Sequence, residues 1–234
     1  GTWMSRIVWR HVCAWLAIVA VTAGCNSKPA NPEEVLAARS LGVGYLDRNR
    51  LPEAEEQFKK LVALAPKDPF GYTNLGLTYL QAGRFADAEK QLNRAHDLDP
   101  ANADVGRMIA KLYALTNRDA EARKTLEQLQ RAQPRDAKVP YALATLDAQE
   151  DTTGVKAEPR LREALALAPA NLAVRAQLLN VFVRRGESDS AVRQLEEIRR
   201  LPPEPPVEVK SLLATSIDLL RAGKVADARP VVDR

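Results

Sequence analysis

Four side chains in this sequence carry thiol or imidazole chemistry: His11, Cys13, Cys25 and His96. A thiolate beside an imidazole is a covalent nucleophile, and three or four such groups converging would hold zinc. His11 and Cys13 sit in an N-terminal stretch, "RHVCAWLAIVAV", with the character of a leader. Once a leader is removed, His96 is the one histidine and no thiol is left beyond Cys25 at the leader's end, which predicts neither Cys-His catalysis nor a His/Cys metal cluster. His96, in "NRAHDLDP", reads as a surface residue of a helix. Carboxylates are plentiful, but Glu53, Glu55 and Glu56 are followed by Lys59 and Lys60 at the i,i+4 spacing of solvated helix faces. Nothing there desolvates an acid enough to raise its pKa for general acid catalysis. Neither a G-x-x-x-x-G-K-[ST] phosphate loop nor a G-x-S-x-G elbow occurs. The residues therefore predict no enzyme, no cofactor, no metal and no small-molecule substrate.

The elements that position these residues begin with the N-terminus. From Met4 the chain reads "MSRIVWRHVCAWLAIVAVTAGCNSKP", with basic Arg6, Arg10 and His11 followed by an apolar run from Val12 to Val21. Ten residues fall far short of the roughly 20 that span a bilayer, which is the signature of a secretory signal. The segment "VTAGC", residues 21 to 25, resembles the bacterial lipobox, with Thr22 where that motif usually has leucine. The resemblance implies that Cys25 carries diacylglycerol and becomes the mature N-terminus; ordinary signal-peptidase cleavage is the alternative. Each buried acyl methylene contributes about 0.8 kcal/mol, so three chains would anchor the protein almost permanently. In the enterobacterial pattern Asn26 after the cysteine implies the outer membrane, with the protein facing the periplasm of the bacterial cell envelope. Residues 1–24 are thus expected to be a signal peptide with an upstream extension, Gly1 to Trp3, and 25–34 the acylated cysteine and a polar linker.

Charge gives no sign of nucleic acid. The sequence pI is 9.1, but without residues 1–24 Lys and Arg fall from 34 to 32 against 30 Asp and Glu, leaving +2. That balance is weak footing for a phosphate-binding surface.

Beyond residue 34 the pattern is periodic. Pro66, Pro100 and Pro134 are spaced by 34 residues, as are Tyr45, Tyr79 and Tyr113, and Ala54, Ala88 and Ala122. The L-G-x-x-Y of Leu75, Gly76 and Tyr79, a later Ala and a closing Pro resemble the tetratricopeptide repeat, a pair of antiparallel helices. The resemblance implies an all-α fold, an α-solenoid of antiparallel helix pairs wound as a right-handed superhelix. Repeats are expected at 35–68, 69–102 and 103–137, with a degenerate fourth at 138–171, a fifth at 172–205 and a partial sixth at 206–234. Gly76 costs about 1 kcal/mol relative to alanine in a helix. Close helix packing explains it: Gly42, Gly76 and Ala110 on first helices are expected to face Ala54, Ala88 and Ala122 on second helices, with Tyr45, Tyr79 and Tyr113 closing the seam. Gly83 is available for a left-handed helix end.

In the fourth copy Thr145 and Ala148 are assigned to the Gly and Tyr columns, and Pro159 predicts a second helix that starts late and packs loosely. The sixth copy stops at Arg234 in its second helix, which suggests the front of a longer lipoprotein carrying a β-propeller or enzyme domain, the alternative to a self-standing scaffold.

Tetratricopeptide arrays bind peptides on the face lined by first helices. By register the groove candidates are Arg39, Val43, Phe70, Asn74, Leu77, Leu80, Arg107 and Lys111, joined by Leu46, Thr73 and Met108 and, in the later copies, by Ala142, Leu146, Asn180 and Arg184. The family's two-carboxylate clamp is incomplete, since Val43, Asp104 and Met108 replace three of its five residues. An apolar floor of Phe70, Leu77 and Leu80 flanked by Arg39, Arg107 and Lys111 favours a protein or peptide partner of acidic-amphipathic character. The expected function is a membrane-anchored scaffold for protein-protein interaction.

Overall fold

The computed structural model describes residues 31–232. The signal peptide, Cys25 and the linker up to residue 30 lie outside the described residues. Among those described there are twelve α-helices and no strand, so the fold is an all-α helical repeat array. They fall into two compact units, with the boundary along the chain between Lys67 and Asp68.

The first unit is one hairpin, α1 (Pro32–Asp47) against α2 (Leu51–Leu64). The Asn31 side chain accepts a hydrogen bond from the Glu33 amide at 3.0 Å, and Pro32 needs no partner for an N–H it lacks. The helix therefore starts at Pro32, inside the stretch read as linker. A Cβ on Gly42 would lie 2.6 Å from Cε1 of the fully buried Phe58.

The second unit runs α3 (Pro69–Gln81), α4 (Phe85–Leu98), α5 (Ala103–Leu115), α6 (Asp119–Ala132), α7 (Lys138–Glu150) and α8 (Ala157–Leu167). It continues with α9 (Leu172–Arg185), α10 (Ser188–Arg200), α11 (Val207–Arg221) and α12 (Val225–Val232). Consecutive helices pack as hairpins, and the first helices α3, α5 and α7 touch in series. Side chains of Asp68, Asn102, Asp136 and Asn171 accept amide hydrogens at the starts of first helices.

In the glycine column the nearest neighbour is a large side chain of the second helix. A Cβ on Gly76 would meet Leu92 Cγ at 2.7 Å, and Leu92 is one turn beyond Ala88. The glycine makes room for a large side chain of the second helix, and Ala88, wholly buried, lets the two backbones approach. Burying a leucine contributes about 1.5–3 kcal/mol, which exceeds the helical cost of glycine.

Each early hairpin turns on a shared device. The amides of Arg50, Arg84 and Arg118 donate to the carbonyls of Tyr45, Tyr79 and Tyr113, each at 2.8 Å. Their guanidinium groups lie over the same tyrosine rings at 4.8, 4.3 and 4.2 Å, and each Nε donates to an acid three residues on, Glu53, Asp87 or Glu121. The left-handed residue between the helices is Asn49, Gly83 or Asn117. The 34-residue column of arginines that signals this turn is visible in the sequence but escapes a reading centred on Gly, Tyr, Ala and Pro.

The fourth hairpin corrects two expectations. Ala144 is fully buried and Thr145 exposed, so Ala144 holds the small position. Asp147, not Ala148, takes the tyrosine position, buried and paired with Arg123 at 2.8 Å. The extra residue of this repeat lies between its helices, so the first helix keeps the earlier register. The α8 helix does start late, at Ala157, but it does not pack loosely: Ala157, Leu161 and Ala164 are buried. Pro159 falls in its first turn, where no intrahelical N–H donor is required.

Candidate functional site: an apolar groove on first helices

The second unit holds a cavity of about 600 Å³ lined chiefly by the first helices α5, α7 and α9. Hydrophobic spacing sets it up, because each first helix turns one face to its hairpin partner and leaves a second face toward its neighbour. The floor is Ala110, Ala114, Leu115, Ala142 and Leu146 with Leu126 beneath. Lys111 and Lys138 stand at the rim with Arg107, and Tyr141, Thr145, Gln149 and Gln177 supply neutral polar groups.

No carboxylate lines this cavity. Arg107 is mostly buried and spends its charge on Asp104 and Asp136. Lys138 is 3.9 Å from Asp104, and Lys111 is exposed with no carboxylate partner among the described residues. The Gln177 amide donates to the Tyr141 hydroxyl at 3.2 Å, which leaves the hydroxyl proton free to serve another acceptor. The groove thus presents donors and positive charge around apolar surface, suited to an amphipathic segment that carries carboxylates.

Of the residues assigned to a groove from the sequence, the cavity brings together Arg107, Lys111, Ala142 and Leu146. Leu80 is buried and lies outside the cavity lining. Phe70 and Leu77 are half-buried outside the cavity, and the Asn74 amide donates to the Phe70 carbonyl at 2.9 Å. Arg39 and Val43 belong to the first unit. Tyr141, which stands 34 residues after Arg107, completes the lining with Gln149 and Gln177.

The remaining chemistry is sparse. His96 is exposed, and no cluster of three or more His, Cys, Asp or Glu able to hold a metal occurs among the described residues. Glu150 and Glu158 are held below the ordinary carboxylate range, Glu150 by hydrogen bonds from Arg123 and Lys156. For Glu158 burial pushes the other way and is outweighed by Arg162 and Arg185. Such depressed carboxylates suit ion pairs, not proton transfer near neutrality. No described helix is long and apolar enough to cross a membrane.

No curated protein matches this chain in sequence. Solved structures match its fold at low identity. A thermophilic tetratricopeptide repeat protein of Thermus thermophilus, TTC0263, aligns with a TM-score of 0.62 and 21% identity over 77% of this chain and 97% of its own. The pilF protein of Pseudomonas aeruginosa aligns at 0.65 and 19% over 86% and 88%. PilW, a widely conserved type IV pilus biogenesis factor, aligns at 0.65 and 16% over 86% and 91%. The tetratricopeptide repeat family itself matches residues 27–69, 58–90, 79–146 and 153–215, the last two stretches alone covering more than half of the sequence. With hairpins, small-residue seams and family match in agreement, the chain belongs to the tetratricopeptide repeat family.

Proposed function

We propose that this chain is a scaffold of the bacterial cell envelope, lipid-anchored through Cys25 at the outer membrane, that holds an acidic-amphipathic segment of a protein partner in the groove of α5, α7 and α9. The observation that carries the binding role is the cavity of about 600 Å³ with an apolar floor, a lysine rim and no lining carboxylate. The anchor rests on the leader-like residues 4–25, and an envelope setting is in keeping with the likeness to the pilus factor PilW. The role is recognition and not catalysis, because the groove offers no nucleophile beside a base and no acid tuned toward neutrality.

A photo-crosslinking residue at Gln149 tests the groove in intact cells. Partners captured there are expected to vanish when Lys111 and Lys138 are both changed to Glu. An identical set of adducts in the variant would overturn the groove assignment. Labelled palmitate tests the anchor separately: it is expected in the wild-type protein and absent from Cys25→Ala.

A further inference from the structure

The helix α1 carries two exposed leucines on the side away from its buried small residues. Leu41 stands in the same column as Leu75 and Ile109, which are buried, yet it is 49% exposed, and Leu36 is 63% exposed. At about 100° per residue Leu36 and Leu41 flank a face of α1 that holds Glu33, Ala37 and Ser40 between them, opposite the buried Ala38 and Gly42. This face is acidic at its start, with Glu33 and Glu34 exposed, and apolar along its length, with small residues between the two leucines. It has the composition that the groove calls for: two apolar anchors within two turns and carboxylates beside them to meet Lys111 and Lys138.

We propose that α1 of a second copy docks in the α5, α7 and α9 groove, so that the protein assembles head to tail. The inference rests on the groove reading above and names its partner as the chain itself. Leu36 and Leu41 fill the floor over Ala110, Ala114, Ala142 and Leu146, and Glu33 and Glu34 face the lysines at the rim. Because donor helix and acceptor groove are different surfaces, the contact is heterologous, and each added copy leaves one α1 and one groove open. Chains therefore grow with protein concentration and shorten as salt screens the rim.

Mixing two defective full-length proteins tests this. One carries Leu36→Asp and Leu41→Asp, which spoils α1; the other carries Lys111→Glu and Lys138→Glu, which spoils the groove. In analytical ultracentrifugation the wild type is expected to rise in mass with concentration, and each variant alone to remain monomeric. Their mixture is expected to form a 1:1 dimer that grows no further, because it joins the one intact α1 to the one intact groove. A further pair checks the polarity: Glu33→Lys with Glu34→Lys is expected to weaken wild-type association about tenfold, and the Lys111→Glu, Lys138→Glu chain to accept this α1 better than it accepts the wild-type one. A monomeric wild type at high concentration overturns the proposal, as does a mixture that fails to pair while the wild type still associates, which would mean a self-complementary or end-to-end contact. If self-association fails but the Gln149 crosslinks still depend on Lys111 and Lys138, the groove serves a different protein and the broader reading stands.

Discussion

Replacing a single glycine by alanine is expected to destabilise, to be nearly neutral and to stabilise at three different positions of this array. At Gly76 the new methyl would sit 2.7 Å from Leu92 Cγ and 2.8 Å from Cδ2. To regain an ordinary 3.4 Å contact Leu92 must retreat by about 0.7 Å, yet it is wholly buried and its Cγ lies close to the helix backbone. Overpacking of this kind costs about 1–3 kcal/mol, against a helix-propensity gain of about 1 kcal/mol, so a net loss of about 1 kcal/mol is expected. At Gly106 the nearest atoms are the Leu129 methyls at 2.9 Å, at the far end of a half-buried side chain that can turn aside. There the two effects nearly cancel, within about 0.5 kcal/mol. At Gly44 the nearest atom is a guanidinium nitrogen of Arg48 at 3.7 Å, so only the propensity gain remains. Thermal melts by circular dichroism check the order, with about 2–4 °C per kcal/mol for a chain of this size. Midpoints are compared in place of extrapolated free energies, because a repeat array need not unfold in one step. A Gly76→Ala protein that melts at or above the wild type would refute the packing account of the glycine column.

Three further perturbations follow from the same geometry. Arg123→Ala leaves Asp147 buried without its ion-pair partner; the usual 3–5 kcal/mol for such a loss is discounted to about 2 kcal/mol because Arg123 is a quarter exposed, and Asp147→Asn in the same background is expected to recover part of the melting temperature. Gly83 adopts φ 71° with open space around it, so Gly83→Ala is expected to destabilise by about 1–2 kcal/mol, whereas Gly83→Asn costs less because Asn49 and Asn117 already hold that conformation; equal melting of the two variants would count against this. Glu150, Asp151 and Glu158 have folded-state pKa values below their unfolded ones, so their stabilisation is complete above the unfolded values of 4.5 and 3.8 and is lost as pH falls through the folded values. Urea midpoints are thus expected to be insensitive to these groups from pH 6 to 8 and to drop in acid below about pH 4.5, with a smaller acid drop in Glu158→Gln.

The repeat was legible without coordinates because its physics is local and periodic. Tight hairpins require small residues at fixed intervals, turns require Gly or Asn at a left-handed position, and a solvent face requires charge; Gly76, Gly83, Tyr79 and Pro100 report these one residue at a time. The composition likewise spoke against a His/Cys zinc cluster, since beyond residue 24 the sequence offers only His96 and Cys25 as such ligands. What only the tertiary structure decided is how side chains meet across helices. Leu80 falls in a groove column yet lies outside the cavity, Arg107 is consumed by Asp104 and by Asp136 from the connection before α7, and Ala144 displaces Thr145 because an added residue was absorbed between helices and not within one. Periodicity assigns a residue to a face of its own helix. Whether that face meets a neighbour, a counter-charge or open space depends on stacking between repeats, and that is a property of several segments at once.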